Sequence, residues 1–515
     1  MLHLGLALAY QAEERVDFDA CARNFEGAGD VERAAQHARC AAEEAEHRLA
    51  FARAAQHYRL CLRVPGLSSG ESGAIHKLLA DALSNSGCGG DAAEHYLIAC
   101  KYLSGDERLQ CEQRAAEEFL RAGYLERGLT TLRSVVDDAG LPYPTSALVA
   151  LGAGVIRRSI GRWQRIPEEV RGPSDIEPGL LRQLDTCSSV AHCLGFLNPR
   201  MTNFYQGLHL QLAYRAREPT RLCRALAAEA IYDAMGGRLS PRTENALQRA
   251  RELARDDAKA VGIVTYTEGV VAFMVGQWGQ AFECCARGEE ILRSGCSGVQ
   301  WQLDTTMLWL LAALHAMGRI SELRQRRVQH LEEAEGRHDL YALTILRSGS
   351  AHAVRLAQDQ PKLLKEEVAS VMSMWPDDHF SVPRYWELVA LTNADLYAGH
   401  DAEALSRFDT WESRIARSIP LRVQVTRVRA RHARARAALA VAEEQRDNRD
   451  LLGLVLGDAA KLEGERAPWV GALAASLRAG AAAVKRDRSR CVEWLMAAEA
   501  QFFASDMSLD AYAVR

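Results

Sequence analysis

One unit recurs along this chain and restricts its fold more than any other feature. Each copy is an amphipathic stretch, a turn centred on glycine, and a second amphipathic stretch. The second half of one copy reads Ala50-Phe51, Ala54-Ala55, Tyr58, Cys61-Leu62 and a closing Pro65. Apolar residues three and four apart give a helix one buried face, and a proline cannot continue it. The pattern returns as Gly90-Asp91, Ala93, Tyr96 and Ala99 after a predicted helix Ala74–Ser84. It returns as Gly123-Tyr124-Leu125, Gly128-Leu129, Leu132 and Val135 after Arg108–Arg121. Gly276-Gln277-Trp278, Ala281 and Cys285 follow a predicted helix Ala260–Val275. Gly318-Arg319-Ile320 with Leu323, and Gly399-His400-Asp401 with Ala404-Leu405 and Phe408, close two more copies. Small residues stand where two helices would cross closely, and Tyr, Phe, Leu and Trp fill the gap to the next unit.

This unit resembles the tetratricopeptide repeat (TPR), whose period is about 34 residues. No copy carries the full signature, and the spacing between copies varies. The resemblance implies an all-α, TPR-like helical-repeat superhelix, an α-solenoid of antiparallel helix pairs in which each unit packs on its neighbours. Composition agrees. Hydrophobic residues are 48% and charged residues 25% of 515, which excludes a disordered chain. Helix formers dominate, and β-branched runs are short. A net charge of -4 excludes a globally basic nucleic-acid binder.

Prolines break the rhythm once. Pro167, Pro173, Pro178, Pro199 and Pro219 fall within Ser146–Pro219. Ile166–Pro178 reads as a loop between two helices, Ala147–Trp163 and Gly179–Leu194. The expected organisation is N-terminal repeats over 1–145, a helical connector over 146–222 and C-terminal repeats over 223–515. Further loops are expected at Trp375–Pro383, which holds Pro376, Asp377 and Asp378, and at Glu443–Asp450.

No stretch reaches the roughly 18–20 uninterrupted apolar residues of a membrane span. The most apolar window, Val261–Val275, carries Thr265, Thr267 and Glu268 and reads as a buried helix. Met1–Tyr10 lacks a basic leader and a small-residue cleavage site, so no signal peptide is expected. The 13 cysteines form no C-x-x-C pair and read as reduced thiols in a cytoplasmic protein.

Several stretches carry a closer resemblance. Asn24-Phe25, Ala28-Gly29-Asp30 and Arg33-Ala34-Ala35, then Leu49-Ala50-Phe51, Ala54-Ala55 and Tyr58, resemble the segment after the nucleotide-binding module of large bacterial signal-transduction ATPases. Gly195-Phe196-Leu197-Asn198-Pro199, Leu212-Ala213-Tyr214-Arg215-Ala216 with Glu218-Pro219, and Cys296, Gly298-Val299, Trp301 and Leu303-Asp304 are similar to the C-terminal helical region of a subset. Asp339-Leu340-Tyr341-Ala342 and Val423-Gln424 with Thr426-Arg427 extend the likeness to most of the chain. In that subset, STAND/AAA-type ATPases are fused to serine/threonine protein kinases. The chain departs from them where chemistry would lie. It has no G-x-x-x-x-G-K-[ST] loop, no H-R-D and no D-F-G. The resemblance therefore implies the sensor or scaffold part of such a system, encoded separately or truncated, and carries over no kinase or ATPase activity.

Candidate chemistry is sparse. Cys187, His192 and Cys193 form the one compact Cys/His cluster, but Cys187 and His192 are five apart and point to different helix faces. Buried small residues are the simpler reading. Cys284-Cys285 diverge by about 100 degrees on a helix, which speaks for two buried thiols. Pairs such as Glu117-Glu118 and Glu366-Glu367 read as solvated helix faces with Arg or Lys nearby.

The surface feature with most to say is basic. Ser413–Ala442 contains no acid but holds Arg414, Arg417, Arg422, Arg427, Arg429, Arg431, Arg434 and Arg436. On a helix, Val425, Val428, His432, Ala435 and Leu439 form the buried stripe. Arg422, Arg429 and Arg436 then fall on one flank, and Arg427, Arg431 and Arg434 on another. Such a field attracts an acidic peptide, a phosphoprotein or nucleic acid. The following helix pair offers Glu443, Glu444, Asp458, Glu463 and Glu465 as neutralising partners.

The sequence thus predicts a protein-interaction scaffold with no cofactor, no metal site and no catalytic residues. A peptide or protein partner, such as a kinase or ATPase module, would dock on the concave face. The six arginines from Arg422 to Arg436 are the candidate contacts. Nucleic-acid binding through the same arginines is the alternative. No membrane partner is expected, and apolar faces left on terminal helices predict self-association.

Overall fold

The computed structural model describes residues 2–13, 16–195, 197–376, 380–415 and 418–515. Phe196, Asp377, Asp378 and Arg417, which the sequence reading names, lie outside the described residues. Among those described there are 27 α-helices, three short 3-10 turns and no strand. The chain divides into two compact units, Met1–Tyr143 with Glu333–Tyr341, and Pro144–Glu332 with Ala342–Arg515. The fold is all-α: antiparallel helix pairs stacked in sequence, a TPR-like α-solenoid.

The first unit holds α1 (Leu2–Gln11), α2 (Phe18–Gly27), α3 (Val31–His47), α4 (Phe51–Cys61), α5 (Ser69–Asn85), α6 (Gly89–Ala99), α7 (Gly105–Arg121) and α8 (Leu125–Asp138). Local signals set their ends. Asp17 accepts from the Ala20 N–H at 2.9 Å, Asp30 from Arg33 at 3.1 Å, and Ser68 with Glu71 closes a capping box. Ala42, Ala54, Ala55, Ala80, Ala92 and Ala93 let neighbouring helices approach, while Tyr58, Tyr96 and Phe119 fill between pairs. A buried ion network ties this unit to its second segment. Arg121, 4% exposed, meets Glu118 and lies 3.3 Å from Asp339, while Ser84 donates to Glu118 at 2.6 Å.

The second unit continues with α9 (Ala147–Trp163), α10 (Pro178–Cys193), α11 (Pro199–Ala216), α12 (Pro219–Ala234), α13 (Pro241–Ala254), α14 (Ala258–Met274), α15 (Trp278–Gly295), α16 (Gln300–Ala316) and α17 (Ile320–Gly336). After α18 (Leu340–Ser348), α19 (Ala353–Ala357), α20 (Pro361–Met372), α21 (Val382–Tyr397) and α22 (Asp401–Ile415) come α23 (Gln424–Glu444), α24 (Arg449–Glu463), α25 (Pro468–Val484), α26 (Arg488–Ala504) and α27 (Ser508–Ala513). The prolines that break the sequence rhythm open helices: Pro178, Pro199 and Pro219 are first residues of α10, α11 and α12. The apolar window at Val261–Val275 is the buried α14. No described helix is long and apolar enough to cross a membrane.

One continuous core runs from Ile176 to Ala511 in the second unit. Its later rungs cover the turns of its earlier ones. Gly276, at φ +86°, makes the turn between α14 and α15, and a side chain there would meet Trp469 at 2.7 Å. Trp278 packs edge-on against the same Trp469, with ring centroids 5.4 Å apart. Before α13, Gly237 touches Gln424, whose N–H donates to the Met235 carbonyl at 2.9 Å. After α16, Gly318 touches Leu509. The covering residues stand 187, 193 and 191 positions beyond Gly237, Gly276 and Gly318. At these three places the later rungs of the second unit close over its earlier turns at a nearly constant separation in the chain.

Candidate functional site

The helix α23 carries all the candidate arginines except Arg422, which sits in the 3-10 turn Pro420–Arg422 just before it. Val425, Val428 and Ala435 are buried, which rotates the arginines onto two flanks, as the spacing predicts. The flanks meet different neighbours.

On the outer flank Arg427 grips Glu465 with both arms of its fork, 2.7 Å from each carboxylate oxygen. It also donates to the carbonyls of Leu421 at 3.1 Å and Arg422 at 3.0 Å, tying off the 3-10 turn. Arg434 grips Asp458 at 2.9 and 2.7 Å. Arg431 lies between them, 3.8 Å from each carboxylate. Asp458 is 1% exposed, so these guanidiniums are its compensation for burial. The hydrogen bond and charge of Arg427 hold the Glu465 carboxyl below its usual range, against the opposing effect of burial. Three of the six predicted arginines therefore already have acid partners, both among those the sequence offers.

On the inner flank Arg429 and Arg436 meet histidines. Arg436 donates to Asn393 Oδ1 of α21 at 2.9 Å, and Asn393 Nδ2 lies 3.0 Å from His352 Nε2. His352 Nδ1 lies 2.7 Å from the Gly349 carbonyl. Only one arrangement satisfies all three contacts: Nδ1 carries the proton and donates, and Nε2 accepts from the Asn393 amide. The His315 ring of α16 stands edge-on to His352, with centroids 5.6 Å apart. His315 Nδ1 and Arg429 Nε have no hydrogen-bond partner within the protein. Burial, followed by the charges of Arg429 and Arg436, lowers His352 to about 4. Burial, followed by the same two charges, lowers His432 to about 3. His315 is lowered as well, by burial first and then by Arg429. Among the described residues, the acid that faces both arginines is Asp510 of α27, and burial pushes its carboxyl up. Arg436 is exposed, while Arg429, His315, His432, Asn393 and Asp510 are half-buried. Arg422 is exposed and forms no ion pair among the described residues.

The other sequence candidates are core or ion pairs. Cys187 is fully buried and Cys193 is 3% exposed, and burial raises the Cys187 thiol, the opposite of activation. His192 Nδ1 faces the Ser188 carbonyl one helical turn back, at 2.6 Å. Burial raises both Cys284 and Cys285. Glu118 pairs with Arg121, and Glu367 with Arg327 and Arg355. No group of three or more His, Cys, Asp or Glu among the described residues is placed to hold a metal ion.

A second surface escapes the sequence reading. The inner side of α9 is fastened: Gly154 lies against Asn203, Arg157 covers the Phe204 ring at 4.7 Å, and Arg158 grips Glu229 at 2.9–3.2 Å. Its outer side is apolar and bare. Leu148 is 81% exposed, Ile156 60% and Trp163 91%, with Val155 and Ile160 between them about half exposed. With Gly152 and Ser159 these make one helical stripe. Apolar residues outnumber Arg157, Arg158, Ser159 and Arg162 along the helix, and only the packing shows which side lacks cover.

No protein-family model matches this chain, and no curated protein matches its sequence. Among solved structures, it is similar to yeast Tom70 at 10% identity and a TM-score of 0.31, over 92% of this chain and 96% of that one. It is similar to a monomeric IFIT1 N216A mutant, solved with m7Gppp-AAAA, at 11% identity and a TM-score of 0.29, over 84% of this chain and 91% of that one. Both likenesses run along most of each chain, and both are too loose to carry a site across.

Proposed function

We propose that this chain is a non-enzymatic interaction scaffold, the sensor region of a bacterial kinase/ATPase signalling system, which takes up a protein or peptide partner. The bare stripe of α9 is the observation that carries this reading. A contiguous apolar face of this kind marks a docking place for another protein. Burying a large apolar side chain returns about 1.5–3 kcal/mol, so five such side chains can offset much of the roughly 4–15 kcal/mol that association costs. A helix laid along the stripe, with Trp163 as an anchor, fits that chemistry. The signalling context rests on the sequence resemblance alone.

Repeat stacks commonly bind on their concave side, and the six arginines were the candidate contacts there. Two observations favour α9 over that place. The earlier turns of the second unit are met by the chain's own later rungs. Arg427, Arg431 and Arg434 are paired with Glu465 and Asp458. The same pairing weakens the nucleic-acid alternative.

The test is capture of partners from native lysate at low and high salt, with wild-type protein and the Ile156→Glu variant compared. A stoichiometric protein held by the wild type at high salt and absent from the folded variant supports the reading. Equal capture by both removes α9 as the docking place. Nucleic acid bound only at low salt moves the weight to the arginines.

A further inference from the structure

We propose that the side-chain cluster formed by α16, α21, α23, α27 and the 3-10 turn Ser350–His352 is a binding site for a small phosphorylated molecule, with its phosphoryl group held between Arg429 and Arg436. This inference does not rest on the partner reading, since it concerns the other flank of α23 and a different class of ligand.

Charge is the first support. The outer flank sets three arginines against two carboxylates, Asp458 and Glu465. The inner flank sets two arginines against Asp510, the same excess of one, but closes no ion pair among the described residues. His315, His352, His432 and Tyr385 face the same space and are neutral at physiological pH. The site therefore carries net positive charge inside protein walls, where an anion is attracted more strongly than in water. Both charges act on His352, His432 and Asp510.

Donor geometry is the second. The relay from Arg436 through Asn393 to His352 and the Gly349 carbonyl fixes the Arg436 fork before any ligand arrives. His315 Nδ1 and Arg429 Nε point at no acceptor of the protein. Two forked guanidiniums and an imidazole offer more donors than the two oxygens of a carboxylate can fill. The three terminal oxygens and double charge of a phosphoryl group suit them better. Access is the third: Arg436 is exposed and Arg429 half-buried, so a ligand meets their guanidiniums first, with the buried His315 Nδ1 and Arg429 Nε behind them. An arriving dianion also favours protonation of the nearby histidines, so binding should take up protons.

The experiment is titration calorimetry of the full chain with pyrophosphate and inorganic phosphate, and with acetate as control, at constant ionic strength. Wild type, Arg429→Gln, Arg436→Gln and Arg422→Gln are compared. The expected result is saturable binding of a phosphate compound but not of acetate. Arg429→Gln and Arg436→Gln should each weaken it about tenfold or more, and Arg422→Gln should leave it unchanged. Runs in two buffers of different ionisation heat should show proton uptake. Should Arg429→Gln fail to fold, the exposed Arg436→Gln and the histidine ring resonances of the wild type still decide. The proposal is overturned by no saturation, by equal loss with Arg422→Gln, or by histidine resonances that ignore pyrophosphate. A phosphopeptide or RNA oligonucleotide that binds tenfold tighter than pyrophosphate overturns the small-molecule assignment.

Discussion

The two flanks of α23 carry the same side chain and finish in opposite states. Arg427, Arg431 and Arg434 face α24 and the turn after it, and each lies within 3.8 Å of Glu465 or Asp458. Arg429 and Arg436 face three histidines and a single carboxyl and close no ion pair among the described residues, although the excess of arginine over carboxyl is one on both flanks. A run of arginine is thus no guide to surface potential. The residues that arrive from the neighbouring rungs decide whether each guanidinium is a structural clamp or an open donor.

Three measurements can break or sharpen this contrast. The largest effect is expected on the clamped flank. Arg434→Ala leaves the buried Asp458 with Arg431 as its nearest cation at 3.8 Å, and should cost about 2–4 kcal/mol in urea unfolding. Replacing Arg434 and Asp458 together by Met and Leu should recover most of that loss. A single variant as stable as wild type would mean that the pair contributes nothing.

Acid should act next, and on the open flank. His352 is held neutral, with its pKa lowered to about 4 from the usual 6.5. The unfolded chain then binds the proton first as pH falls. Stability is complete above about pH 6.5 and is lost between there and about pH 4, by roughly 3 kcal/mol at most for this one group. His315 and His432 act in the same sense, while Asp510, raised in the fold, offsets part of the loss. Unfolding followed against pH should show the slope, and His352→Gln should flatten it. The smallest effect is expected from Arg429→Gln, because Asp510 still faces Arg436. It should change stability by less than about 1 kcal/mol and raise the pKa of His352, read from its ring resonances. A loss as large as that of Arg434→Ala would erase the distinction between the flanks.

Much of this fold is legible in the sequence because its signals are local. The helix-turn-helix units around Gly123, Gly276 and Gly318 stand where the spacing puts them, and Ala147–Trp163 is one helix end to end. The division of the arginines was also readable, since helical period alone sets it, and Asp458 and Glu465 lie only one helix away. The inner cluster was not. His315, His352 and Asp510 come from up to 114 residues before Arg429 and 81 beyond it, and no local pattern encodes that meeting. The bare stripe of α9 was hidden for a different reason. A helix with so many apolar residues predicts burial, and only its packing on α11, with Arg158 and Arg162 paired to Glu229 and Asp233 of α12, shows that its other side stays uncovered.

The covering of early turns by later rungs has a consequence for how this chain comes into being. A ribosome completes Gly276 and Trp278 well before it reaches Trp469. At about 5–20 residues per second, the indole of Trp278 waits roughly 10–40 seconds for its partner. Through that interval the growing protein has secondary structure but an unfinished interior, which is when a holding chaperone would find it. Helical stacks are often treated as rods that can be cut to any length. This one has a minimum length, and a second unit shortened before Trp469 should resemble that unfinished intermediate more than a smaller version of the whole.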